Sequence, residues 1–153
     1  MGHDDVIELL NEVLTNELTA VNQYFLHARM QKNWGFPKLA DHTYAESIDE
    51  MKHADVLIER ILFLEGHPNV QRLDAVRIGE TVQEQFAADL AVEVHAMDAL
   101  RLGIVACREA DDDVTRLLLE RILESEEEHV DYLETQISLL QRLGEAAFLS
   151  QQL

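Results

Sequence analysis

Two short spacings in this chain put a carboxylate and an imidazole three residues apart, Glu50-Met51-Lys52-His53 and Glu126-Glu127-Glu128-His129. Residues at i and i+3 share one face of a helix, so each pair can offer an oxygen and a nitrogen to one metal ion. Two further glutamates interrupt apolar stripes of helical spacing. Glu17 falls in the series Val6, Leu10, Val13, Glu17, Val21, Tyr24, and Glu93 in Phe86, Leu90, Glu93, Met97, Leu100, Ile104, Cys107. The paired motifs lie on stripes of their own, Glu46, Glu50, His53, Leu57 in one and Leu118, Ile122, Glu126, His129, Leu133 in the other.

Burying one unpaired carboxylate is costly, and four in a small core demand compensating positive charge. Four glutamates with two neutral histidines carry about -4, the charge that two divalent ions neutralise. Oxygen and imidazole ligands without thiolate favour iron or manganese over a structural zinc site, and the spacing alone leaves those two open. The metal-ligand candidates are therefore Glu17, Glu50, His53, Glu93, Glu126 and His129.

Such a site needs four helices to converge. Apolar periodicity predicts a first helix from Asp4 to Asn33, ended by Gly35 and Pro37, and a second from Lys38 to Glu65, stopped by Gly66-His67-Pro68. A third spans Thr81 to Ala110 and a fourth Asp113 to Leu143, parted by acidic Asp111-Asp112-Asp113. A short fifth helix runs from Glu145 to Gln152. The brief connections make each pair an antiparallel hairpin, and the long segment from Gly66 to Glu80 serves as one crossover between the second and third helices. Each glutamate lies roughly 12 to 17 residues from its helix ends, so a rise of about 1.5 Å per residue brings all four to mid-height.

Composition agrees. The 153 residues include two prolines and six glycines, few helix breakers for a chain that is 47% hydrophobic, and the length suits a single all-α domain over residues 1–153. Thirty acidic against twelve basic side chains give a net charge of -18, which repels nucleic acid and anionic membrane faces and favours cations as partners. No apolar run is long enough for a membrane span, the N-terminus lacks a signal-like pattern, and the single Cys107 forms no internal disulfide. A cytoplasmic protein is the expectation, with Cys107 as a small buried apolar residue.

The segments Asn16-Glu17-Leu18-Thr19-Ala20, Asn22-Gln23-Tyr24-Phe25-Leu26-His27, Glu46 to Asp55, Arg60 to Gly66 and Glu126 to Thr135 together resemble the bacterioferritins, over nearly the whole chain. The resemblance implies a ferritin-like four-helix bundle and a hollow 24-subunit shell that oxidises Fe(II) at a di-iron ferroxidase centre and stores the ferric mineral inside. It implies that Glu17 and His53 hold one iron, Glu93 and His129 the other, and that Glu50 and Glu126 bridge them, with Tyr24 behind the ligands. It assigns Met51 as axial ligand of a haem b shared across a two-fold interface. That fits a side chain turned about 100° from its neighbour Glu50 and hence outward. Oxygen or peroxide is the implied oxidant and a ferredoxin-type protein the implied reductant for iron release.

One position departs from the family. Many members carry a histidine directly before the Glu-Ser-Ile-Asp-Glu run, where it helps Asp49 hold iron on the inner surface; this chain has Ala45. That auxiliary site is in doubt, and the centre itself then serves partly as a gate for iron. The other histidines, at positions 3, 27, 42, 67 and 95, match no ligand pattern and read as surface or packing residues. The alternative function is a rubrerythrin-like di-iron peroxidase or oxidase without storage, against which stand Met51 and the lack of a Cys-x-x-Cys pair. A non-catalytic haem-binding bundle in a mixed shell is disfavoured by the complete ligand set.

Overall fold

A computed structural model describes residues 2–153, with side chains from Asp4 onward, so His3 lies outside the described side chains. Five helices follow in order: α1 (Gly2–Asn33), α2 (Pro37–Phe63), α3 (Val82–Glu109), α4 (Asp113–Leu143) and α5 (Glu145–Ser150). α1 packs along both α2 and α3, and α3 along α4, whereas α2 and α4 touch least. The result is a four-helix bundle of ferritin-like connectivity with a short helix closing one end.

The ends differ from expectation by a few residues, for identifiable reasons. Pro37 is the first residue of α2, where its missing N–H costs nothing. α2 stops at Phe63 rather than Glu65, because Glu65 itself takes the left-handed conformation (φ 65°) and the Gly66 N–H returns to the Ile61 carbonyl at 2.8 Å. Thr81 and Ala110 prove to be the caps of α3. The Thr81 hydroxyl accepts from the Glu84 N–H at 3.1 Å. Asp112 caps α4 in the same way through the Thr115 N–H. α5 ends two residues short of Gln152.

Two apolar clusters fill the bundle. The first joins Leu10, Val13, Leu57, Leu100, Ile104 and Ile122, with Cys107 wholly buried among them. The second joins Leu39, Phe86, Leu133, Leu140 and Phe148 at the opposite end, where Phe148 of α5 meets Phe86 edge-on with centroids 5.9 Å apart. Between them lies a polar middle. Its charged residues are thus sealed from both ends by apolar layers.

The crossover is not a slack loop. Along α1 a polar side chain recurs every fourth residue, and each member meets the crossover or its junction with α3. Asn11 donates to the His67 carbonyl at 3.1 Å and accepts from the Asn69 N–H at 2.8 Å. The Thr15 hydroxyl accepts from the Arg72 guanidinium at 3.2 Å, and Thr19 from the Asp74 N–H at 3.0 Å. Gln23 accepts from the Arg77 N–H and His27 from the Gly79 N–H, both at 3.0 Å. Gln31 closes the row by donating to Gln85, which itself donates to the Gly79 carbonyl. Gly79 must be glycine: a Cβ there would stand 2.4 Å from the Gln85 backbone nitrogen.

Candidate metal centre

At mid-height the four long helices bring six side chains into one buried cluster. Glu17 comes from α1, Glu50 and His53 from α2, Glu93 from α3, and Glu126 and His129 from α4. All four glutamates are fully buried, and the histidines keep slight exposure along the α2–α4 seam. The cluster divides into two overlapping groups whose potential ligand atoms lie within 4.8 Å of one another: Glu17, Glu50, His53, Glu126 and Glu50, Glu93, Glu126, His129. Glu50 and Glu126 belong to both.

The imidazoles turn Nδ1 inward. His53 Nδ1 lies 3.4 Å from Glu126 Oε1, 3.6 Å from Glu17 Oε1 and 3.8 Å from Glu50 Oε1. His129 Nδ1 lies 3.0 Å from Glu50 Oε1, 3.5 Å from Glu93 Oε1 and 3.6 Å from Glu126 Oε1. Neither nitrogen has a hydrogen-bond partner, nor does either oxygen of Glu17, Glu50 and Glu126, nor Oε2 of Glu93. Buried polar atoms are normally paired, so a convergent set of unpartnered acceptors fits a cation.

The proton equilibria show the same strain. Burial pushes the Glu50 carboxyl well up, and the charges of Glu17, Glu93 and Glu126 push it further. Glu93 rises to about 8 through burial and Glu126, against the lowering effect of His129. Burial on its own would depress both histidines, yet contact with Glu126 and Glu17 lifts His53 to about 9, and contact with Glu93 lifts His129 to about 10. Each shift holds protons in a space crowded with negative charge.

Supporting contacts orient the cluster. The Tyr24 hydroxyl donates to Glu93 Oε1. His129 Nε2 lies 3.4 Å from Asp49 Oδ2, at the side of the ring away from the cluster. That arrangement fixes the tautomer that leaves Nδ1 free to ligate. Asp49 came forward from the sequence only through the family resemblance, which also set Tyr24, the last residue of the Glu17 stripe, behind the ligands.

Asp89 did not come forward at all. It is buried on α3 one turn before Glu93, at a level where the apolar stripe predicted Leu90. It accepts from Gln23 Nε2 at 2.8 Å and lies 2.9 Å from His27 Nδ1. The usable signal was the period of four that Gln23 and His27 share with Asn11, Thr15 and Thr19. His27 is thus a packing residue, as expected, although hydrogen-bonded at both ring nitrogens. His42 is a half-exposed residue stacked on Tyr132 with centroids 3.7 Å apart, and its Nε2 lies 2.6 Å from Glu46.

Met51 stands away from the cluster. It is 48% exposed on the opposite side of α2, on a strip with Ile48 and Tyr44, and Phe25 of α1 lies beside Tyr44 with ring centroids 6.0 Å apart. A thioether surrounded by exposed apolar side chains suits a flat apolar ligand shared with a second surface.

Comparison with known proteins adds an independent line. The ferritin-like domain family matches residues 7–143. The bacterioferritin of Mycobacterium bovis is 57% identical over 150 residues, covering 98% of this chain and 94% of that protein. Bacterioferritin BfrA of Mycobacterium tuberculosis (strain H37Rv) shows the same figures. The bacterioferritin of Streptomyces coelicolor is 55% identical over 149 residues, covering 97% and 89% respectively.

Proposed function

Because this chain belongs to the bacterioferritin family, we propose that it stores iron by oxidising Fe(II) to Fe(III) at the six-residue cluster and depositing the product within a 24-subunit shell. One observation carries the reading: two four-residue groups share Glu50 and Glu126, and all their inward atoms but Glu93 Oε1, which Tyr24 holds, lack hydrogen-bond partners. Two Fe(II) ions are the substrate. Glu17 and His53 hold one, Glu93 and His129 the other, and Glu50 and Glu126 reach both.

The residues prepare the site by exchanging protons for metal. His53, His129, Glu50 and Glu93 retain protons in the metal-free cluster, and each gives its proton up as an ion takes its place. The oxidation then balances simply. Dioxygen takes one electron from each Fe(II) and two protons and leaves as hydrogen peroxide; with peroxide as oxidant, the same electrons and protons give two waters. Metal charge rises from +4 to +6 while the four carboxylates stay at -4, so hydroxide or oxide formed from water, with release of its protons, balances the added charge as the carboxylates shift. The apolar layers at either end hold bulk water away while this happens.

Met51 would supply a thioether to haem b, with a second copy of the chain supplying the other, in keeping with its exposure on an apolar strip. Haem held there would supply one-electron transfer.

Oxygen consumption on adding Fe(II) tests the central reading. Wild-type protein consumes oxygen rapidly, while Glu17→Ala and His129→Ala lose most of that rate. Unchanged rates in both variants would overturn it. Size-exclusion chromatography separates storage from a free-standing oxidase, since a shell elutes at hundreds of kilodaltons.

A further inference from the structure

A cavity of about 470 Å³ opens where the crossover passes over the α1–α3 seam. Its floor is at the height of the cluster, because Asn16 and Val92 line it and are the chain neighbours of Glu17 and Glu93. Asn16 is only 4% exposed, and among the described residues no hydrogen bond occupies its side-chain amide. At the rim, Asp74 of the crossover faces His95 of α3, with Oδ2 3.8 Å from Nε2. Thr19, accepting the Asp74 N–H, fixes that part of the crossover beside the opening.

From these contacts we infer that Asp74, His95 and Asn16 form a capture site for a divalent cation, which passes Fe(II) from solvent into the cluster. The donors are a carboxylate, an imidazole and an amide oxygen, a set that accepts Fe(II) and similar ions. Two features make it a transit site rather than a resting place. The Asp74–His95 pair is exposed and long, so it contributes little and both side chains can turn onto an arriving ion. Arg77 lines the same cavity, and its positive charge keeps the ion weakly held and able to move on. The other seam offers a contrasting surface. The cavity between α2 and α4 that reaches His53 is lined by Lys52, Arg60 and Arg121 against the single carboxylate of Glu59, a less favourable approach for a cation.

This inference rests on the ferroxidase reading, and the test separates the two. Intact shells of wild type, Asp74→Asn, His95→Ala and the double variant are compared in stopped-flow oxidation over a range of Fe(II) concentrations. The double variant is expected to oxidise about threefold to tenfold more slowly at low Fe(II), the scale of local electrostatic steering. It regains the wild-type rate at high Fe(II) and still oxidises two ions per chain in the rapid phase. Arg77→Ala should be faster than wild type at low Fe(II). Crystals soaked in Co(II) give a readout independent of activity, with anomalous density between Asp74 and His95 in wild type and none in the double variant. Equal rates at every concentration, or Co(II) absent from the rim of the wild type, would overturn the inference. A wild type that binds Co(II) at the rim yet oxidises no Fe(II) sustains the capture site and removes the ferroxidase reading instead.

Discussion

His27 and Asp89 meet, both buried, between α1 and α3, Nδ1 to Oδ1 at 2.9 Å, while the other ring nitrogen of His27 accepts the Gly79 N–H at 3.0 Å. One imidazole therefore joins α1, α3 and the crossover, donating on one side and accepting on the other, which only its neutral form can do. In His27→Ala both partners lose their contact in a buried place, at a cost of about 2–4 kcal/mol for two unsatisfied groups. The expected result is a lower thermal midpoint together with faster hydrogen exchange at the amides of Asp74, Arg77 and Gly79. Unaltered exchange along the crossover would show that the imidazole does not hold it.

The sharing of Glu50 and Glu126 between the two groups makes the ligands unequal. Removing Glu17 takes a donor from one group, whereas removing Glu126 takes one from each. Titration with Co(II) should accordingly give about two tight ions per chain in wild type, one in Glu17→Ala and none in Glu126→Ala, apart from any weakly held ion at the Asp74–His95 rim. Equal losses in the two variants would contradict the shared arrangement.

The same crowding predicts an inverse effect on stability. In the metal-free protein Glu50 is buried among three other carboxylates and must take up a proton on folding, so Glu50→Gln removes that cost without changing volume. The variant should be more stable than wild type by about 1–3 kcal/mol, or roughly 3–10 °C, when no metal is present. With Co(II) added the order reverses. Thermal melts with and without chelator decide it.

Much of this was readable before any coordinates. The four carboxylate positions stood out because each interrupts an apolar stripe, and the two Glu-x-x-His motifs put the imidazoles on the same faces; all six residues do converge. Asp89 was hidden because Leu90 next to it continues the stripe equally well, and a helix-period argument cannot tell which of two adjacent positions turns inward. The polar row from Asn11 to Gln31 was hidden for a different reason. Its partners are backbone groups of the crossover, which carry no side-chain signature. Asp74 and His95 meet only because that row pins the crossover across α3, so their pairing could not be read from either residue.

Stability should also depend on pH in a direction set by the cluster. His53 near 9, His129 near 10 and Glu93 near 8 all stand above their unfolded values, so the folded metal-free protein binds more protons than the unfolded chain. When the native state holds the extra protons, stability falls as pH rises. The carboxyl contribution is lost from about pH 4.5 to 8, and the imidazole contribution from about pH 6.5 to 10. Melting temperatures of chelated protein should drop steadily across this window and those of Co(II)-loaded protein should not. A flat profile for the chelated form would contradict the shifts.

Met51 provides the last prediction, because it separates the two roles proposed for α2. Glu50 points into the bundle and Met51 out of it, so a change at Met51 should leave the metal cluster untouched. Protein reconstituted with haem b is expected to show the absorption of six-coordinate haem with two thioether ligands. Met51→Leu keeps the apolar strip with Ile48 and Tyr44 but removes the sulfur, and should lose that spectrum. Fe(II) oxidation by the same variant should proceed at the wild-type rate, since the cluster loses no ligand. An unchanged haem spectrum in Met51→Leu would mean that another residue serves as the axial ligand, and a lost oxidation rate would mean that the two faces of α2 are coupled.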